Sequence, residues 1–267
     1  MKNIAIFGGS FNPVHIGHMY IVKQVERLRQ PPKTSFANLD GKNSATCRHS
    51  SFKYVEYSHS SFLNCRNFCR QSSQSRFPEV ALNYIDKILI IPSNIPPHKT
   101  CDNFASSEHR YNMLKLAFYD FPSVEICDIE LKQSGANYTI NTLNALKNEY
   151  QDDKLHLVIG TDMLLSFHLW HKYLEILQLA DIICIARGTN SNNGNRLFPE
   201  TTPSRHRSPE ISYIQKAKEF KNVTILDVPK IDVSSTEIRE KIKLGVDVKD
   251  KLDFKVHEYI FDNNLYV

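Results

Sequence analysis

The chain has 267 residues, of which 41% are hydrophobic, and a formal net charge of +4 at pH 7. That length and composition allow one large domain or two small ones, each with a sizeable core. No apolar run nears the ~20 residues needed to cross a bilayer, and the first, Ile4-Ala5-Ile6-Phe7, is too short for a signal peptide, so a cytoplasmic protein without a membrane role is expected.

Lys2–Phe7 reads as a buried strand, and Gly8-Gly9-Ser10-Phe11-Asn12-Pro13-Val14-His15-Ile16-Gly17-His18 as a glycine turn leading into a helix over Gly17–Val25. Glycines let backbone N–H groups approach a phosphate, and the helix start behind them adds partial positive charge. His15 and His18, three apart, fall on one helix face, and Gly17 between them is expected to leave room for a flat ligand. Together these residues suit a polyphosphate.

After the first helix the periodicity dissolves. Residues 27–79 hold nine Lys/Arg against three Asp/Glu, and residues 189–209 hold three Arg against one Glu. Both read as insertions, and without them the rest of the chain is acidic. A nucleic-acid partner is therefore not expected of the body of the protein. Cys65 and Cys69 with His49 and His59 fit no standard zinc spacing, and no resident metal is expected. The six cysteines are scattered and need no bridges in a reducing compartment.

Outside these segments strands and helices alternate. Strands are expected at Lys87–Ile91, Val124–Asp128, Leu155–Ile159, Asp181–Ala186 and Val223–Val228. Helices are expected at Ser107–Phe118, Tyr138–Tyr150, Thr161–Phe167, Trp170–Leu177, Ile211–Phe220, Ser235–Leu244 and Lys251–Phe261. Continuous apolar strands between helices predict an α/β protein: a Rossmann-like doubly wound parallel sheet with helices on both faces, one domain over residues 1–267 interrupted at about 27–80 and 189–209. Ligands of such sheets bind beyond the carboxyl ends of the strands, where the first loop lies. Ser234-x-x-Glu237 is a capping box that starts a late helix, with Arg239 one turn in.

The first loop resembles the H-x-G-H signature of the nucleotidyltransferases, and Val233-Ser234-Ser235-Thr236-Glu237-Ile238-Arg239 resembles their second, I-S-S-T-x-I-R, with Val233 in place of Ile. Ser93-Asn94-Ile95-Pro96-Pro97-His98-Lys99, Ser134 to Ile140 and Gly160-Thr161-Asp162 with Trp170-His171-Lys172-Tyr173 are similar to the nicotinate-nucleotide adenylyltransferase branch. The likeness covers nearly everything except the two insertions. It implies transfer of AMP from ATP to nicotinate mononucleotide, with Mg²⁺ carried mainly on the ATP phosphates. It also implies roles. His15, His18 and Arg239 would be catalytic. Gly8, Gly9, Ser10, Phe11, Gly17, Asp162, Ser234, Ser235 and Thr236 would hold ATP. His98, Lys99, Tyr138, Thr139, Trp170, His171 and Arg187 would meet the acceptor. Another acceptor on the same fold, such as nicotinamide mononucleotide or phosphopantetheine, or a non-catalytic nucleotide or RNA binder, are the alternatives. Oligomeric state, a homo-oligomer included, stays open.

Overall fold

A computed structural model describes residues 1–28, 85–94, 104–133, 137–188, 215–220 and 222–267. The chain divides into two units, Met1–Arg29 with Asn83–Val267, and Gln30–Leu82. The second unit, the first expected insertion beyond residues 27 and 28, the whole of the second, and the Cys65, Cys69, His49 and His59 group lie outside the described residues.

Among the described residues the first unit is built on a six-stranded parallel sheet: β1 (Asn3–Gly9), β2 (Lys87–Pro92), β3 (Val124–Ile126), β4 (Lys154–Gly160), β5 (Ala180–Gly188) and β6 (Val223–Pro229). The helices are α1 (Ile16–Arg27), α2 (Ser107–Ala117), α3 (Thr139–Glu149), α4 (Thr161–Leu165), α5 (Tyr173–Leu179), α6 (Ser235–Lys243) and α7 (Phe254–Asp262), and residues 215–219 are also helical. Strand order is β3-β2-β1-β4-β5-β6. The order reverses beside β1, whose Ile4 pairs with Lys87 of β2 on one side and Leu155 of β4 on the other. That reversal opens a crevice at the carboxyl ends of β1 and β4.

Alternation along the strands sends side chains to two apolar layers. Ala5, Ile88, Ile90, Val158, Ile183 and Ile185 face a layer completed by α1, α2, α6 and α7. Ile4, Ile6, Leu89, Leu155, Leu157 and Ile182 face the other, completed by α3, α4 and α5. Each fully buried Leu or Ile contributes about 1.5–3 kcal/mol relative to exposure, which is why near-continuous apolar strands settle between two helical layers.

Element ends differ from expectation where backbone geometry intervenes. The helix expected from Trp170 begins at Tyr173, because Trp170 is extended and Lys172 is left-handed at φ 54°. The helix expected over Thr161–Phe167 stops at Leu165 and resumes as a 3₁₀ turn, Phe167–Leu169. The last helix starts at Phe254 rather than Lys251, set by Asp253, whose carboxylate accepts the Lys255 N–H at 2.9 Å. No helix among the described residues is long and apolar enough to cross a membrane.

Candidate active site

The loop after β1 is shaped by more than glycine. Gly8 and Gly9 continue the strand, paired with Ile91 and Pro92, and the left-handed residue is Phe11 at φ 46°. The expected glycine turn is thus a turn at Phe11. Glycine at position 9 lets the ring lie close: a Cβ there would stand 3.1 Å from the Phe11 ring, tighter than ordinary contact. The Phe11 ring in turn packs edge-on against Phe7 and against His18, at 5.6 and 5.0 Å between centroids.

His15 is the N-cap residue of α1 and is 7% exposed; the His18 ring stacks on it at 3.7 Å and 25°. The His15 N–H donates to His18 Nδ1 at 3.3 Å. An accepting Nδ1 carries no proton, so the ring's remaining nitrogen, Nε2, is the one that presents an N–H. The amide donors expected at this helix start are partly taken. The His15 N–H goes to His18, and the Ile16 N–H goes to the Lys251 carbonyl at 3.1 Å. Those two amides are therefore already committed within the protein.

Gly17 does not leave room for a flat ligand. A Cβ there would lie 2.8 Å from Val233 Cγ1 and 3.1 Å from the His15 ring, so the space is filled by the residue that opens the second motif. Two hydrogen bonds join the motifs further. Ser235 Oγ donates to the Pro13 carbonyl at 2.9 Å, and Arg239 Nη1 donates to the Asn12 carbonyl at 2.7 Å. Arg239 Nη2 reaches Thr236 Oγ1 at 3.4 Å. Ser234 Oγ accepts the Glu237 N–H at 3.1 Å, the expected cap. The reciprocal half of the capping box is not made, because the Glu237 carboxylate pairs with Lys241 at 2.8 Å, which holds its pKa below the ordinary value.

Asn12 links three elements. Its Oδ1 accepts from the Ala105 N–H at 3.0 Å and from the Tyr266 hydroxyl at 2.7 Å, while its carbonyl accepts from Arg239. Tyr266 is 7% exposed, and burial raises its phenol pKa well above the usual value. A cleft beside this assembly is lined by His15, Gly17, His18, Val228, Ile231 and Val233.

On the other side of the crevice, Gly160 ends β4 and Asp162 lies exposed in the first turn of α4. A Cβ on Gly160 would meet Asp162 Oδ1 at 2.6 Å, so that carboxylate folds back over the glycine and would have to shift to admit a side chain there. Beneath it the buried Cys184 thiol is pushed up to about 12. Tyr138 immediately precedes α3, whose first residue is Thr139; its ring lies 4.5 Å from the His171 ring, which brings together two of the segments expected to meet the acceptor. Trp170 is half-buried, its indole 5.1 Å from Phe167 in the second apolar layer. The loop between β3 and α3 is braced by Glu130, which accepts from Thr142 Oγ1 at 2.8 Å and through its carbonyl from Asn137, and whose carboxyl pKa is raised by burial. Asn94, after β2, donates to the Gln133 carbonyl of the same loop at 2.8 Å. His98 and Lys99 lie outside the described residues, as does the side chain of Arg187.

Sequence reasoning did not single out Asn12, Tyr266 or Arg110. Arg110 is fully buried and its Nη1 donates to the carbonyls of Ser10 and Ser93, both at 2.8 Å. The signal for it was present: positions 110, 113, 114 and 117 form one helical stripe, and Met113, Leu114 and Ala117 are its apolar members.

The cytidylyltransferase-like family model matches residues 6–31 and 76–241. A curated protein of Caldicellulosiruptor saccharolyticus, named "Probable nicotinate-nucleotide adenylyltransferase", is 30% identical over 98% of this chain and 98% of its own length. One of the same name from Borreliella afzelii is 31% identical over 99% of this chain and 96% of its own. Among solved structures, the Plasmodium falciparum nicotinic acid mononucleotide adenylyltransferase complexed with NaAD shares the fold, with a TM-score of 0.62 at 18% identity, over 100% of this chain and 98% of that one. With the family model spanning most of the chain and full-length relatives at this identity, the chain belongs to the cytidylyltransferase-like family, in its nicotinate-nucleotide adenylyltransferase branch.

Proposed function

We propose that the protein transfers AMP from ATP to nicotinate mononucleotide, yielding deamido-NAD and pyrophosphate. The observation that carries this reading is the direct bonding of Arg239 and Ser235 to the loop of the two stacked histidines. It gathers two imidazoles and a guanidinium around one stretch of backbone, as a triphosphate requires.

The acceptor's phosphate is already anionic at neutral pH and needs no activating base. Its oxygen attacks the α-phosphorus in line, the bond to the β-phosphate oxygen breaks, and pyrophosphate leaves with that electron pair. The protein's part is positioning and charge stabilisation. The His18 Nε2–H donates to a phosphate oxygen, and His15 supports it by stacking. Arg239 adds positive charge from the other side, with Ser234, Ser235 and Thr236 shaping the helix start. Gly8, Gly9, Ser10 and Phe11 form the floor under the phosphates. Asp162 lies near the ATP ribose. Tyr138, Thr139, Trp170 and His171, with His98, Lys99 and Arg187, contact the acceptor.

Among the described residues no group of three His, Cys, Asp or Glu side chains gathers to hold an ion. What fits this chain is Mg²⁺ held by the substrate's own phosphates, where it neutralises charge on the triphosphate. The reading extends to one nucleotidyltransferase domain over residues 1–267, interrupted at about 27–80 and 189–209; the first interruption is supported by the stretch between residues 31 and 76 that the family model leaves unmatched. A cytoplasmic site of action is part of the same proposal.

Acceptor-dependent pyrophosphate release tests it. With ATP, nicotinate mononucleotide is expected to be consumed far faster than nicotinamide mononucleotide or phosphopantetheine. No release with nicotinate mononucleotide overturns the reading.

A further inference from the structure

Arg110 is an expensive residue in its position. It lies wholly inside the protein, on the buried face of α2. Its Nη2 reaches Ser107 Oγ at 3.3 Å, and its guanidinium stands 5.1 Å from the Phe104 ring. Nε has no hydrogen-bond partner among the described residues. No carboxylate among them opposes its charge; burial pulls its pKa down and only Tyr266 acts in the other direction. A buried cation without a counter-ion is disfavoured, so a residue of this kind persists where it does something that an apolar side chain could not.

Its two short bonds say what that is. Ser10 lies just beyond β1 and Ser93 just beyond β2, so a single nitrogen pins the carboxyl ends of two adjacent strands. Across a trans peptide the carbonyl and the next N–H point in opposite directions. Holding the Ser10 carbonyl on Arg110 therefore turns the Phe11 N–H away from α2. That N–H has no acceptor among the described residues, and Phe11 occupies the left-handed region, which an unbraced bulky residue leaves.

We propose that Arg110 is a positioning residue for nucleotidyl transfer: it clamps the Ser10 and Ser93 carbonyls so that the Phe11 N–H is held ready for a phosphate oxygen, and its buried charge is met by the anionic substrate. This deepens the function proposed above and rests on it. Arg110 touches no reacting atom. It acts through the loop, so its removal lowers turnover more than it lowers substrate affinity.

The test is steady-state pyrophosphate release by the full chain with ATP and nicotinate mononucleotide, alongside thermal melting, for wild type, Arg110→Gln and Arg110→Lys. Glutamine cannot bridge the two carbonyls with a charged donor, and kcat is expected to fall about 30-fold or more, with KM for either substrate within about threefold. Lysine offers one charged nitrogen that can donate to both carbonyls, and kcat is expected to recover to about a third to a tenth of wild type. A folded Arg110→Gln protein that keeps kcat near wild type, or whose loss lies only in KM, overturns the proposal. So does a folded Arg110→Lys protein no better than Arg110→Gln. If Arg110→Gln does not fold, Arg110→Lys decides: a lower kcat at unchanged KM supports the clamp, and a change confined to melting temperature overturns it. A wild-type chain that releases no pyrophosphate with any acceptor defeats the functional reading itself, whereas an active wild type with an indifferent Arg110→Gln defeats only this inference.

Discussion

On the side of the crevice proposed for the phosphates, the carbonyls of Ser10, Asn12 and Pro13 are held by Arg110, Arg239 and Ser235, and Val233 fills the space over Gly17. On the side proposed for the acceptor, Tyr138 is 47% exposed, touches His171 ring to ring, and neighbours a Trp170 that leans on Phe167. The first region is fixed by charge-assisted bonds from distant parts of the chain, and the second by contacts between flat rings. The difference follows from the chemistry each would serve. Stabilising developing charge depends on dipoles that do not reorganise, whereas a flat ring is recognised largely by area and tolerates looser walls. Substitutions on the phosphate side should therefore act on turnover, and those on the acceptor side on affinity.

The most damaging change should be His18→Ala. It removes the ring whose Nε2–H is proposed to meet a phosphate oxygen, and kcat is expected to fall about 100-fold or more in a pyrophosphate-release assay with KM little changed. A near-wild-type kcat would erase the contrast between the two sides. Gly17→Ala comes next. Its methyl would collide with Val233 Cγ1 at 2.8 Å and crowd His15. A loss of about 1–3 kcal/mol in chemical denaturation and about tenfold in kcat is expected, because the two motifs must part to admit it. Tyr138→Ala should sharpen the comparison from the other side, raising KM for the acceptor about three- to tenfold while leaving KM for ATP alone. If both constants move together, the two regions are not separate.

The smallest effect lies at the opposite end of the sheet. His156 is buried, with Nε2 3.0 Å from Asn3 Oδ1 and Nδ1 4.0 Å from Asp181. Burial lowers its pKa below the ordinary value, against the pull of Asp181 and with that of Lys154. The unfolded chain then binds a proton at higher pH than the folded one. This stability contribution is complete above the usual histidine pKa and is lost as pH falls through the lowered one. His156→Asn should flatten the fall in denaturation midpoint below about pH 6.5 and leave activity unchanged.

Much of this architecture could be read from residue order. The apolar strands and their alternation with helices implied a parallel sheet, and the family comparison matches the branch that the two motifs resemble. Local geometry was less legible. Lys172 delays a helix by adopting φ 54°, and nothing in Trp170-His171-Lys172 signals that. Phe11 takes the left-handed turn that two neighbouring glycines invite a reader to assign to them. The use of Gly17 could not be inferred either, since the atom that excludes a side chain there belongs to a residue more than two hundred positions later. Arg110 was legible only in part: its place in the stripe of Met113, Leu114 and Ala117 points inward, but a lone arginine ordinarily lies on the surface, and the carbonyls it binds belong to two other loops.

Asn12 is tethered to Tyr266, 254 residues further along the chain. The first strand and its loop are made early in synthesis, whereas this tether can form only after residue 266 has been added. A product broken off before that point carries both histidines without the strut beneath them. Such fragments are expected to bind nucleotides more weakly than the longer chain.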